Sequence, residues 1–195
     1  VGLYGKKGRG VAQECGVSDQ IDIINGTLAK GFGQIGGYIT GDEILIDFIK
    51  SFAPGFIFTT SMMPAIAAAA SKSIEIVQTL DEERKLVFSK ANYIKNQLKK
   101  VGIDFIDSDS HIIPVLAYDE SKVKYYSNTL LNKHNTYVQP IFYPTVPKGS
   151  ARLRITVTPK HSITDINDLI SSLRMTWGKH SQRVISAPLQ PAMAL

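Results

Sequence analysis

The sequence predicts an α/β fold followed by a smaller α+β lobe, and three features carry that expectation. Strand-length apolar runs alternate with helix-length segments over residues 21–81, the pattern of a sheet covered by helices. Residues 82–102 form one long amphipathic stretch that ends in glycine. Beyond Gly102 the pattern turns to strand-like runs interrupted by helices. The expected divisions are residues 1–81, a connecting helix at 82–102, an α+β lobe at 103–180 and a loose tail at 181–195.

Each element has its own local reason. "VGLYG" at residues 1–5 reads as the end of a buried strand entering a glycine-rich loop. "IDII" (21–24) and "GGYIT" (36–40) are short strand candidates. Asp42 and Glu43 open a helix reaching Phe52, since acids favour the positive end of the helix dipole. "FIFTT" (56–60) is a further buried-strand candidate, and Pro64 suits the first position of an alanine-rich helix. Val87, Ala91, Ile94, Leu98 and Val101 recur at helical spacing, with Gly102 as the stop. "IDFI", "HIIPVLAY", "TYVQPIFY" and "RLRITV" follow as strands, with a helix at 121–133 between the second and third. The last helix aligns Ile166, Leu169, Ile170, Leu173 and Trp177, and Ser162 with Asp165 forms a capping box that uses Asp in place of Glu.

Composition narrows the function classes. The chain is 44% hydrophobic and 20% charged over 195 residues, ordinary for a soluble globular protein. No apolar run is long enough to span a bilayer and no signal-peptide pattern is present, so a soluble chain with no membrane partner is expected. Cys15 is the single cysteine and cannot close an internal disulfide, which fits a reducing compartment. The net charge of +5 favours anionic partners. The basic cluster "GKKGRG" (5–10) reads as a solvated turn, and no nucleic acid is expected. "GFGQIG" (31–36) matches a dinucleotide fingerprint, yet the glycines lead into a strand and no acid lies near residue 56. The four histidines have no metal-ligand spacing, and no G-x-S-x-G elbow occurs.

Lys30 is the residue that asks for a function. It is the one charge in the run "INGTLAKGFGQIGGYITG" (24–41). A desolvated lysine loses its proton more readily and attacks carbonyls. Gly26, Ala29, Gly31 and Gly33 would leave room for a planar ring, and Thr27 could offer a hydroxyl to an anion. The alternative is a lysine reaching out of a glycine-rich turn, and both readings stand open. Thr59, Thr60 and Ser61 at a strand end could hold a phosphate, or merely cap the helix after Pro64. Arg152 and Arg154 alternate onto one strand face, where an inward arginine clamps a carboxylate and an outward one makes a cross-strand ion pair.

Four ordered segments together resemble the α-oxoamine synthase family of pyridoxal-phosphate (PLP) enzymes. These are "NGTLAKGFGQIGGYI", "SFAPGFIFTTSMMPAIAA", "SHIIPV" and "YVQPIFYPTVPKGSARLRITVTP", and the resemblance runs to about residue 179. It implies an aspartate-aminotransferase-like, fold-type-I α/β architecture: the second part of a PLP-binding large domain, then the small domain. It also implies that Lys30 carries the cofactor, that Thr27 touches its phosphate, and that Thr59 and Thr60 reach the phosphate in the neighbouring subunit of a homodimer. Arg154 would bind the glycine carboxylate and Thr145 a succinyl carboxylate.

The implied reaction condenses glycine with succinyl-CoA, releasing CoA and CO2, the entry step of tetrapyrrole synthesis; a bacterial cytoplasm is the expected compartment, with a mitochondrial matrix as the alternative. An acetyl-CoA-using member shares the "YP-V-PKG-AR-R" stretch, and Thr145 is where the two should part, because an acetyl group lacks the second carboxylate. In this family the acid that pairs with the pyridine nitrogen, a histidine near it, the ring-stacking aromatic and the phosphate-cradling glycines all precede the segment matched by "VGLYG". The chain therefore resembles a C-terminal half, expected to be inactive or poorly folded alone. A non-catalytic remnant or interaction module is the alternative of another class.

Overall fold

The computed structural model describes residues 1–178, so the tail expected at 181–195 lies outside the described residues. The chain divides into two compact units, Val1–Lys85 and the residues from Leu86 onward.

In the first unit the opening residues do not end a buried strand. They form a closed loop in which the Gly2 N–H donates to Gly8 O at 2.6 Å and the Gly10 N–H to Tyr4 O at 2.8 Å. Side chains of the one-turn helix α1 (Val11–Glu14) tie it down, Gln13 Oε1 accepting from the Lys6 N–H at 2.6 Å and Glu14 Oε2 from the Gly5 N–H at 3.0 Å. The reason is glycine. Gly8 sits at φ +74°, and a Cβ there would lie 2.9 Å from Gly2 O, so the backbone folds onto itself where a strand would stay extended.

Strands β1 (Ile23–Thr27) and β2 (Gly37–Gly41) pair antiparallel, from Ile23 opposite Gly41 to Thr27 opposite Gly37. The strand expected at 21–24 thus starts later, and its apolar residues are not buried. Helix α2 (Glu43–Phe52) begins where Asp42 Oδ1 accepts the Ile44 N–H at 3.0 Å. It leaves Ile44, Phe48 and Phe52 exposed at a spacing of four, with the two phenylalanine rings stacked at 4.7 Å.

"FIFTT" is not a strand. Pro54 opens a short helix, α3 (Pro54–Ile57), in which the Ile57 N–H donates to Ala53 O at 3.0 Å. An apolar run this short suits helix or strand equally, and the proline with φ set for a first helical turn decides it. Phe56, Ile57 and Phe58 are 53%, 47% and 85% exposed. Helix α4 (Pro64–Gln78) starts on Pro64 as expected. Its Ala70 packs with Leu28 and Phe32, flanked by Tyr38 and Val77.

Helix α5 (Asp81–Val101) contains the division between the units. Its Val87, Ala91, Ile94 and Leu98 are buried, and Gly102, at φ +69°, ends it. The second unit is built on an antiparallel sheet of β3 (Ile112–Tyr118), β4 (Gln139–Ile141) and β5 (Ala151–Thr156), with β5 in the centre. Ile113, Val115, Leu153 and Ile155 alternate onto its buried face. Helix α6 (Glu120–His134) adds Val123 and Leu130 to the core, and α7 (Ile163–Trp177) adds Ile166, Leu173 and Trp177. "IDFI" reaches the sheet only as a single bridge, Phe105 opposite Val115. "TYVQPIFY" is strand only over β4, with a turn following.

The α7 capping box forms as the sequence implies. Ser162 Oγ accepts the Asp165 N–H at 3.1 Å and Asp165 Oδ2 accepts the Ser162 N–H at 2.7 Å. The Ser162 backbone N–H first, and its hydroxyl second, hold the Asp165 carboxyl below its ordinary pKa. A depressed acid contributes stability above its unfolded pKa and loses it as pH falls through the folded value. Ser162→Ala is therefore expected to lower the urea midpoint at pH 7 and to move the Asp165 pKa up toward the ordinary value in an NMR titration. The gap between the two urea midpoints should narrow once the acid is protonated.

Candidate functional site

The loop between β1 and β2 carries Lys30, and its backbone is fixed by its own hydrogen bonds. The Leu28 N–H donates to Gly36 O at 2.9 Å, the Gln34 N–H to Leu28 O at 2.9 Å and the Gly33 N–H to Lys30 O at 3.2 Å. Leu28 and Phe32 turn into the small core and leave Lys30 between them facing solvent. Of the two settings open for Lys30, this chain shows the solvent-reaching one. The apolar neighbours spend their surface on α4, so the lysine stands out of a glycine-rich turn. No ion pair or hydrogen bond engages its side chain among the described residues.

Thr27 ends β1, three residues before the lysine, and its Oγ1 accepts the Ala29 N–H at 3.2 Å. The hydroxyl proton stays available to a ligand. Space around the loop is open on one side, since a Cβ at Gly33 would meet nothing within 4 Å. The glycines of "GFGQIG" shape this loop and open no helix, which removes the dinucleotide reading. Thr59 and Thr60 lie exposed on the connection between α3 and α4, not at a strand end. That connection passes beside the lysine loop, because a Cβ at Gly36 would come within 3.0 Å of Met62 Cε.

In the second unit Arg152 and Arg154 alternate with the buried Ala151, Leu153 and Ile155, so both lie on the outer face of β5. Arg152 is half-buried and its Nε donates to Ser150 O at 2.9 Å. Arg154 is exposed, stands opposite Pro114 on one side and Gln139 on the other, and has no carboxylate within ion-pair distance among the described residues. The outward cross-strand ion pair is thus not formed. Arg154 borders a groove of about 620 Å³ shared with His134, Tyr137, Gln139, Thr156 and Asp168. Thr145 is exposed in the turn after β4, where its N–H donates to Phe142 O at 3.0 Å.

Two contributions have no local signal in the sequence. Ser73 Oγ donates to Phe32 O at 2.7 Å and pins the lysine loop to α4; a serine in an alanine-rich helix is its only trace. Tyr137 and Gln139 join Arg154 only through strand register. Among the described residues no group of three or more His, Cys, Asp or Glu could hold a metal, and no helix is long and apolar enough to cross a membrane.

The fold is that of the fold-type-I transferases of pyridoxal-phosphate chemistry. The family of class I and II aminotransferases matches residues 1–173, and this chain belongs to it. Among curated proteins it is 46% identical over 179 residues to the 5-aminolevulinate synthase of Rhizobium meliloti, covering 92% of this chain and 44% of that protein. It is 49% identical over 173 residues to the 5-aminolevulinate synthase of Rickettsia felis, covering 89% and 42%. The chain thus spans less than half the length of these relatives. Among solved structures, serine palmitoyltransferase from S. paucimobilis, with PLP and myriocin bound, superposes with a TM-score of 0.83 at 26% identity, over 90% of this chain and 44% of that one. The 8-amino-7-oxononanoate synthase of Francisella tularensis shares the fold, with a TM-score of 0.78 at 20% identity over 89% and 51%.

Proposed function

We propose that this chain carries part of a 5-aminolevulinate synthase, the PLP-dependent condensation of glycine with succinyl-CoA to 5-aminolevulinate, CoA and CO2. The observation that carries the reading is the 46% identity to such an enzyme over 92% of the chain. The residues at hand suit the cofactor. Lys30 offers an amine with no ion-paired carboxylate among the described residues, and the open space at Gly33 leaves that side of the loop uncrowded.

Bound PLP supplies an electron sink for charge developing at the amino-acid Cα. The chain's own groups bind and move protons around it. Lys30 would hold the cofactor, and its amine would take the Cα proton of the bound amino acid. The hydroxyls of Thr27, Thr59 and Thr60 would hold the cofactor phosphate, the last two across a homodimer. The guanidinium of Arg154 forks onto the glycine carboxylate, and the Thr145 hydroxyl donates to the far carboxylate of succinyl-CoA. The exposed apolar row Ile44, Phe48 and Phe52 supports assembly with further protein. A bacterial cytoplasm goes with this reading, since both named relatives are bacterial.

Complementation tests it. The chain is co-expressed with the portion of the Rhizobium relative that precedes the matched segment, and 5-aminolevulinate is assayed with succinyl-CoA against acetyl-CoA. The pair is expected to form 5-aminolevulinate while the chain alone forms none, and Thr145→Val should raise KM for succinyl-CoA by about tenfold, the loss of one hydrogen bond to a charged group. A co-purifying, PLP-binding pair that prefers acetyl-CoA would sink the assignment.

A further inference from the structure

We propose that Gln139, oriented by Tyr137, is a second carboxylate-binding arm beside Arg154. The inference rests on the reading of Arg154 as a carboxylate clamp and adds a residue to that subsite. Gln139 of β4 stands directly opposite Arg154 of β5. Directly opposed residues share a face with Cβ atoms about 5 Å apart. Both border the same groove.

The hydrogen bonds decide what the pair can take. Tyr137 Oη donates to Gln139 Oε1 at 2.5 Å, and Gln139 Nε2 donates to Pro140 O at 3.1 Å. The amide oxygen is thereby engaged, and the amide is fixed with its nitrogen turned away from the tyrosine. An amide nitrogen has two protons, so one remains after Pro140. The Arg154 guanidinium has donors only and no acid beside it among the described residues. Pro114, on its other side, brings no side-chain polar group. Arg154 and Gln139 therefore present donors and positive charge, with the amide oxygen between them engaged by Tyr137, while Thr156 and Asp168 border the same groove without an ion pair to Arg154. A carboxylate matches this set, one oxygen on the guanidinium fork and the other shared with the Gln139 N–H. A neutral carbonyl leaves the charge unmatched. Tyr137 is a positioning residue, because without its hydroxyl the amide is free to turn its oxygen toward the ligand.

Side-chain 1H–15N NMR of the labelled chain, titrated with sodium acetate and separately with sodium chloride at matched ionic strength, tests the arrangement. The Arg154 Nε–H and Gln139 NH2 signals are expected to shift together along one saturating curve in acetate only. Gln139→Glu, which replaces a donor with a like-charged acceptor, should weaken acetate binding about tenfold. Tyr137→Phe should weaken it roughly threefold, with Trp177 fluorescence unchanged in both. Saturation at Arg154 with Gln139 silent overturns the inference and leaves the Arg154 reading standing. Silence at Arg154 overturns both, and equal shifts in chloride overturn carboxylate recognition.

Discussion

Lys30→Ala is expected to abolish site-specific attachment of pyridoxal phosphate. The experiment adds the cofactor, reduces with borohydride and locates the pyridoxyl group by peptide mass spectrometry. In the unaltered chain the label should concentrate at Lys30, whose amine has no ion-pair partner among the described residues and whose loop is fixed by backbone bonds and by Ser73. Lys30→Arg should behave like the alanine variant, because a guanidinium stays protonated and cannot condense with an aldehyde. Neither change should disturb folding, since Lys30 is exposed and such substitutions stay within about 0.5 kcal/mol. Equal labelling of several lysines before and after the substitution would remove Lys30 from the proposed role.

Leu153→Ala is the largest stability effect expected from the fold. Leu153 lies on the central strand with 0% exposure. Truncating a fully buried leucine removes its transfer energy and leaves a cavity, about 3–5 kcal/mol together. Trp177, the only tryptophan in the chain, is buried in the same unit and stacks on Tyr126 at 3.9 Å. Its fluorescence in a urea titration therefore reports this unit by itself. A midpoint shift of the size of a surface substitution would mean that the β5 core relaxes around the loss.

The helices were legible because their signals are local. Pro64 and Gly102 mark boundaries by backbone geometry, the α5 apolar row has a fixed period, and Ser162 with Asp165 sits at capping distance along the chain. "VGLYG" and "FIFTT" misled for the same reason. Apolar residues at strand length say nothing about the neighbour a strand requires, and here glycine torsions and Pro54 chose other conformations. At the site, Lys30 was visible as a charge among uncharged residues and Arg154 as one of an alternating pair. Its exposure was not visible, because the burial of Leu28 and Phe32 depends on α4, some forty residues on. Gln139 escaped for want of a register, which only the paired strands supply.

The exposed segment 56–60 has a kinetic consequence. It is uncharged, free of proline and rich in aromatic and β-branched residues, the composition that stacks between identical chains. Encounters between two such segments grow as the square of chain concentration. Slow synthesis of the chain therefore keeps such clumping rare.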